Sequence, residues 1–395
     1  MQKLAILGSG FISEFYASSI LGQRSKDEII IAASRSEEST KKFAEKFNIP
    51  EYSTDLKKAI NHPDVSIVVI GLPNYLHLET VLACAKAGKG VICTKPLGRN
   101  AAEALQMLRA VEKTGVFHGY MEDLVYTPKT LKAIENIKQG SLGRILWAKS
   151  RETHPGPHSD WFWDKEKAGG GAILDLACHC IEIGRSFIGK EQKPIEVMCW
   201  AATQVKPIDA EDHAIGLVKY ANGAIGQFEV SWTFRGGLDI RDEVMGTEGT
   251  IWLNHFLRTG FDMFTAPGQS GYVAEKAESD SGWIFPVADE NQDLGYNHMF
   301  NDMFTAYENG TSPTETFYDG YVVNAIMDAA YLSVKSKKWE TIEIEDWRGE
   351  EPNSTESHSL TSYNDQYYLL KEEVMPNGGK TLLLKDKKTG EIIRK

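Results

Sequence analysis

Three short stretches hold the residue types that move protons and carry charge. The first is Val91-Ile-Cys-Thr-Lys95-Pro96-Leu97, an apolar run ending on a lysine before a proline. Proline removes a backbone donor and pushes the residue before it toward an extended conformation. Lys95 therefore belongs at the carboxyl end of a strand, the edge where open α/β sheets bind ligands. The second stretch is Gly169-Gly170-Gly171-Ala-Ile-Leu-Asp175-Leu-Ala-Cys-His179. Three glycines permit close backbone approach, and Asp175 and His179, four apart on the following helix, share one face. A carboxylate and an imidazole on one face suit proton transfer. A local helix ion pair is the competing reading. The third stretch is a loop, Thr153-His154-Pro-Gly-Pro-His158-Ser-Asp160-Trp161-Phe-Trp163. His154, His158 and Asp160 could hold a divalent metal. Alternatively the loop binds a sugar, with Trp161 or Trp163 as an apolar platform and the imidazoles bonding hydroxyls. Plain packing of the tryptophans is the third reading. Pro-Gly-Pro denies the helical spacing that usually presents metal ligands, so no metal is expected. Cys178-His179-Cys180 is not a zinc signature, because adjacent residues point in different directions around a helix.

The elements that must position these groups begin at the first strand. Leu4-Ala-Ile-Leu7 is apolar, and Gly8-Ser9-Gly10-Phe11-Ile12-Ser13 joins it to a helix running to about Leu21. Gly8 allows the tight turn, and Gly10 lets the backbone approach a pyrophosphate at the helix N-terminus. Phe11 and Ile12 open that helix and are placed beside the same ligand. The second strand, Ile29-Ile-Ile-Ala-Ala33, ends on Ser34-Arg35, where many dinucleotide sites carry an acid for the ribose hydroxyls. Arginine beside a small hydroxyl residue can accept a 2′-phosphate, which leans toward NADP; a solvent-facing arginine is the alternative. The expected cofactor is therefore NAD(H) or NADP(H), and its retention between turnovers is left open. Val65-Ser-Ile-Val-Val-Ile-Gly71 is a central strand that runs into Pro73-Asn74 and His77. Pro-Asn is a turn signal, and Pro73, Asn74 and His77 could line the nicotinamide half. For His77, a locally bonded helix start is the other reading. The last strand, Val116-Phe-His-Gly-Tyr120, exits through Glu122, assigned to both cofactor and substrate. Strands and helices alternating at this spacing predict a doubly wound parallel sheet over residues 1–122.

Beyond that point the pattern changes. Segments 144–151, 195–200, 213–220, 224–232 and 249–253 read as strands, with Asn222-Gly223 as a hairpin signal. They predict a mostly antiparallel open sheet with helices on one face, an α+β domain over residues 123–345. Its other face, rich in Trp, Phe and Val, is a candidate homo-oligomer interface. Residues 260–286 read as a loop able to reach an active site. His298, at a later helix start, is a substrate contact or a local cap. Residues 346–395 form an extension with a terminal hairpin around Asn377-Gly-Gly. The chain has 395 residues, 42% hydrophobic and 25% charged, room for two cores of ordinary composition. A net charge of −12 argues against nucleic acid or an anionic membrane as partner. No apolar run approaches a membrane span. Five scattered cysteines, and a strand where a signal peptide would stand, predict a cytoplasmic protein.

As a set, Gly8-x-Gly10, Pro73-Asn74…His77, Lys95-Pro96 and Gly169-Gly-Gly…Asp175-x-x-x-His179 resemble the glucose–fructose oxidoreductase/inositol dehydrogenase (Gfo/Idh/MocA) family over roughly residues 3–345. The family's commoner Glu before the lysine is Thr94 here, and its commoner acid after the second strand is Ser34. The 154–163 loop and the His213 and Glu229 stretches are similar to members that oxidise the glucosyl C3 hydroxyl of plant glycosides. The resemblance implies a Rossmann domain with a nicotinamide cofactor at the sheet's carboxyl edge. It implies a small-molecule substrate, a sugar, glycoside or cyclitol, between the domains. In an NAD(P)-dependent dehydrogenase of this kind His179 accepts the hydroxyl proton and Lys95 stabilises alkoxide charge. Asp175 bonds a neighbouring hydroxyl; Glu122, His154, His158, Trp161, Trp163 and His298 complete the substrate wall. Two other functions stay open. One is a redox-neutral enzyme that cleaves or epimerises a glycoside through transient C3 oxidation. The other is a non-catalytic nucleotide sensor, against which the intact Lys95/Asp175/His179 set argues.

Overall fold

Aliphatic runs alternate with amphipathic segments through the first third of the chain, and the backbone follows them. The computed structural model describes residues 2–23, 26–257, 261–269, 271–351 and 362–395. Six strands, β1 (Lys3–Leu7), β2 (Glu28–Ala33), β3 (Glu51–Ser53), β4 (Ile67–Ile70), β5 (Gly90–Thr94) and β6 (His118–Met121), pair in parallel in the order β3-β2-β1-β4-β5-β6. They are linked by α1 (Phe11–Gln23), α2 (Glu37–Lys46), α3 (Leu56–Ile60), α4 (His77–Lys86) and α5 (Ala101–Thr114). β4 and β5 are buried at every residue, as a sheet covered on both faces requires. Strand order reverses between β1 and β4. The crevice at their carboxyl ends is where such a sheet takes a ligand.

The chain continues through α6 (Pro128–Lys138), β7 (Ile145–Thr153), α7 (Lys165–Ala168), α8 (Cys178–Ile188), β8 (Pro194–Ala202), β9 (His213–Tyr220), β10 (Ile225–Ser231), β11 (Asp239–Gly246) and β12 (Thr250–Asn254). Then come β13 (Met263–Thr265), β14 (Gly282–Ile284), α9 (Glu290–Asp293), α10 (Tyr296–Asn309), α11 (Phe317–Ser336) and β15 (Glu340–Thr341). Seven of these strands form a second sheet in the order β12-β11-β7-β10-β9-β8-β15. Only β7 and β10 pair in parallel within it. Alternation turns Ala148, Ser150 and Glu152 of β7 toward α8, and leaves Trp147 exposed on the opposite face. That opposite face also exposes Trp200, Ile215, Met245 and Trp252.

β11 has no clear strand signal in sequence. Asp239-Ile-Arg-Asp-Glu-Val-Met carries charge at both parities, because Asp242 points inward to the His255 imidazole, 2.6 Å away. Part of the expected 260–286 loop is instead the β13–β14 ladder, and residues 260 and 270 lie outside the described residues. Residues 351–395 form a separate unit. There β16 (Tyr367–Val374) and β17 (Lys380–Asp386) make the expected hairpin, and β18 (Ile392–Arg394) adds a short third strand to β17. Among the described residues no helix is long and apolar enough to cross a membrane.

Candidate active site

The two glycines of the first turn are needed for different reasons. Gly8 leaves β1 with φ +113°, and a Cβ there would stand 2.3 Å from the Gly71 carbonyl oxygen. Only glycine lets the ends of β1 and β4 approach so closely. Gly10 has nothing within 4 Å of where its Cβ would be, so the space before the first turn of α1 is open. Gly8, Gly10, Phe11 and Ile12 line a cavity of about 990 Å³, together with Ser34, Arg35, Pro73 and Asn74. Asn74 is fixed by its own Nδ2, which donates to the Ala168 carbonyl at 2.8 Å. Ser34 Oγ bonds Ser9 Oγ at 2.8 Å and also Thr40 Oγ1, and Ser9 Oγ reaches Ser39 at 3.0 Å. An open helix N-terminus beside hydroxyls and one arginine has the donor chemistry a dinucleotide's phosphates and riboses require.

The same cavity runs on to the end of β5. Lys95 Nζ donates to Asp175 Oδ1 at 3.0 Å and to the Asp175 carbonyl at 2.8 Å. Trp232 Nε1 donates to Asp175 Oδ2 at 3.0 Å. Asp175 sits in a π-helical turn, Ile173–Ala177, rather than on the regular helix expected. The wider turn leaves its carbonyl for Lys95 and for the Cys178 thiol at 3.2 Å. His179, at the start of α8, does not pair with Asp175. Its Nδ1 bonds Glu122 Oε1, and its Nε2 lies 4.0 Å from Glu152 Oε2.

The environment sets the protonation of each group. Burial alone would raise the Asp175 carboxyl, but Lys95, with His154 and Lys276, outweighs it and holds Asp175 at about 2. Burial opposes the charge on Lys95 too, yet Asp175 raises it well above the ordinary lysine value. Lys95 and Asp175 therefore form a buried ion pair. Burial, reinforced by Lys95, lowers His179 to about 3, and burial raises Glu122 to about 8. The Glu122–His179 pair therefore resists the charge-separated carboxylate–imidazolium form. Burial likewise raises Glu152 well above the carboxylate range.

Of the loop residues, His154, His158, Asp160 and Trp161 line the cavity. His154 Nδ1 accepts from the Gly156 amide at 2.9 Å, and His158 lies against Phe11 with ring centroids 4.5 Å apart. His154, His158 and Asp160 do not converge on one point. Among the described residues the groups whose ligand atoms do converge are Glu122/Cys178/His179 and Glu182/Glu315/Asp319. In the first, two of the three ligand atoms bond each other. In the second, Lys190 Nζ already stands 2.8, 2.5 and 3.2 Å from the three carboxylates.

Four assigned residues lie off the cavity wall. His77 is fully buried; its Nε2 faces the Leu72 carbonyl at 2.8 Å and its Nδ1 those of Pro96 and Leu97 at 3.1 and 3.2 Å. It ties the segments after β4 and β5 together instead of touching a cofactor. Glu122 is fully buried and bonds His179 Nδ1. Trp163 packs edge-on against Trp232, centroids 5.5 Å apart, so it supports the loop and is no platform. His298 Nε2 bonds the Gln292 side chain at 2.8 Å, the local helix-start reading. Sequence reasoning missed Glu152, Lys276 and Tyr296, all on the wall. Glu152 had a signal, a carboxylate at an inward parity of β7. Lys276 lies in the 260–286 segment, where only a loop able to reach a site was legible.

Residues 2–121 match a family model described as an oxidoreductase family with an NAD-binding Rossmann fold, and residues 130–252 match a GFO/IDH/MocA C-terminal domain. Levoglucosan dehydrogenase of Pseudarthrobacter phenanthrenivorans is 28% identical over 75% of this chain and 85% of that protein. Trans-1,2-dihydrobenzene-1,2-diol dehydrogenase of Bos taurus is 30% identical over 62% of this chain and 72% of its own length. The structure of GenD2 from gentamicin A biosynthesis, in complex with NAD, superimposes with a TM-score of 0.81 at 28% identity, covering 87% of this chain and 97% of that one.

Proposed function

The chain belongs to the Gfo/Idh/MocA family of oxidoreductases, as an NAD-binding enzyme of the sugar and cyclitol dehydrogenase type, and from that premise we propose that it oxidises a secondary ring hydroxyl of a sugar or glycoside, with the glucosyl C3 hydroxyl as the preferred target. The observation that carries this reading is the single cavity joining Gly10 to Lys95, Asp175 and His179. Trp161, stacked on Phe162 with centroids 3.7 Å apart, gives that cavity an apolar wall for the ring or aglycone.

A nicotinamide bound at this sheet edge supplies the hydride acceptor. The chain's own residues handle the proton. With a proton on the Glu122–Nδ1 axis, His179 Nε2 is bare and takes the hydroxyl proton. The Nδ1 proton can then pass to Glu122, leaving both groups neutral in a buried place where neutrality is favoured. Lys95, fixed by two bonds to Asp175, keeps an N–H for the alkoxide oxygen. Asp175 is the anchor of that lysine, with its second oxygen held by Trp232.

At the adenosine end the ring of hydroxyls around Ser34 and the guanidinium of Arg35 favour a 2′-phosphate, and NADP is the preferred cofactor in this proposal. Five free, buried cysteines suit a reducing cytoplasm. The exposed Trp200, Ile215 and Trp252 on the open sheet face suit a homo-oligomer. The test is nicotinamide absorbance with NADP or NAD against a panel of glucosides, levoglucosan and myo-inositol. Reduction with a glucoside, faster with NADP, is expected, and Arg35→Asp should shift the NADP/NAD preference by roughly tenfold or more. No reduction with any of them would sink the proposal. Glycoside consumed without net reduction would point to the redox-neutral course.

A further inference from the structure

Glu152 is a buried carboxyl with no role in the chemistry described so far. Its inward parity on β7 sets it between apolar cross-strand neighbours, Val230 of β10 and Ile240 of β11, neither of which offers its side chain a donor. It is 7% exposed, it lines the cavity, and its Oε2 has no hydrogen-bond partner. A buried, unpartnered carboxyl oxygen is costly unless something else comes to bond it. That oxygen stands 4.0 Å from His179 Nε2, the atom that takes the substrate proton. The gap is too wide for a direct hydrogen bond. A hydroxyl oxygen about 2.8 Å from each would span it once the carboxyl turns toward the cavity that Glu152 lines.

We propose that Glu152 is a catalytic residue, a neutral carboxylic acid that donates a hydrogen bond to the oxygen of the reacting hydroxyl while His179 Nε2 takes that hydroxyl's proton. The role rests on the dehydrogenase reading. Burial first, and then the acidic groups around it, raise the Glu152 carboxyl well above its ordinary range and favour its protonated form. Asp175, Cys178, His179 and Cys180 face it from the π-turn and α8, and Glu122 and Asp123 from the exit of β6. Lys95 at the end of β5 and Lys276 on the loop are the opposing cations, and Tyr296 faces it from α10. Lys95 is already committed to Asp175. An ionised Glu152 would repel the alkoxide; a protonated one bonds it more strongly as charge builds, which is the differential binding that lowers a barrier. Glu152 keeps its proton throughout, and no atom is transferred from it.

Glu152→Ala and Glu152→Gln separate the roles. With cofactor affinity held within roughly twofold, Glu152→Ala should lower kcat by about 10²–10³, as loss of one oxyanion donor does. Glu152→Gln restores a neutral donor and should recover at least about tenfold of that loss. Wild-type kcat/KM should fall as pH rises through the raised ionisation of Glu152, and that fall should be absent from the Gln variant. Infrared difference spectra of wild type against Glu152→Gln at neutral pH should show a protonated carboxyl stretch in the wild type only. A Gln variant as poor as Ala, an unchanged Ala variant, or the absence of that band would each overturn the role. No wild-type turnover on any sugar would overturn the dehydrogenase reading and this role with it. Normal turnover with a Gln variant no better than Ala would overturn this role alone.

Discussion

His179 can act as a base only while its Nε2 carries no proton, and the Glu122 contact decides when that holds. The two residues titrate as one buried pair, so the apparent value belongs to the pair and not to either ring or carboxyl. With two protons the pair is neutral and Nε2 is a donor; with one, Nε2 is bare. The loss of that proton follows the raised Glu122 value of about 8, so kcat/KM for alcohol oxidation should rise with pH through about 8. The reverse reduction needs the doubly protonated pair and should fall over the same interval. Steady-state pH profiles in both directions check this, and an oxidation rate already flat from pH 6 to 9 would contradict it. His179→Ala should cut kcat by about 10²–10⁴ with cofactor binding retained. That Lys95, Asp175 and His179 share one cavity was readable because each has a local signature: a proline, a glycine triplet, an i,i+4 spacing. Glu122 and Glu152 were not readable in these roles, because their shared partner comes from a helix nearly sixty and thirty residues away in sequence. Exchange of partners between Asp175 and His179 was hidden for the same reason. Spacing shows which residues share a helix face, and it does not show which distant charges reach them first.

At the scale of elements, the turn from β1 to α1 joins two constraints that one motif conceals. Gly8→Ala puts a Cβ 2.3 Å from the Gly71 oxygen at φ +113°, so the β1–β4 contact must open. The backbone strain alone costs about 1–3 kcal/mol, and a lowered melting midpoint without any ligand should report it. Gly10→Ala meets no atom within 4 Å. The melting midpoint of the free protein should hold, while cofactor affinity falls by about tenfold because the methyl enters the pyrophosphate's space. Equal loss of stability in both variants would mean the cradle has been misread. The loop opposite the turn shows a similar division. Lys276 is held at φ +58°, a conformation unusual for lysine, and its Nζ donates to the Gly156 carbonyl at 3.1 Å. Strain in a residue that closes the cavity wall follows from side chains brought together across the fold, and no local pattern announces it. The π-turn at Asp175 was equally unreadable, since its residues have ordinary helical propensity and only the Lys95 and Cys178 bonds to its carbonyl reveal the wider winding.

For the whole molecule, the change from alternating strands and helices to strands of period two was legible, because the two sheets bury their faces differently: helices cover both sides of the first and one side of the second. The terminal segment was legible only as a hairpin around Asn377-Gly-Gly. A third strand of three residues is too short to show a period. The cavity gives this organisation a consequence. Every residue on its wall lies between Gly8 and Tyr296, whereas residues 351–395 form their own unit. Glu350 still belongs to the larger unit, donating its amide to the Glu191 carbonyl at 2.7 Å. A chain ending after Glu351 should therefore keep the apolar core, the cofactor cradle and the Lys95–Asp175–His179 group intact. Turnover and cofactor affinity should stay within about twofold of the full chain, since every residue of the cavity wall belongs to the larger unit. If the open face of the second sheet carries the association between copies, the sedimentation coefficient should fall only by the mass removed. A truncated chain that sediments as a monomer would assign the interface to the tail. Normal sedimentation with lost turnover would show instead that the tail contributes to turnover.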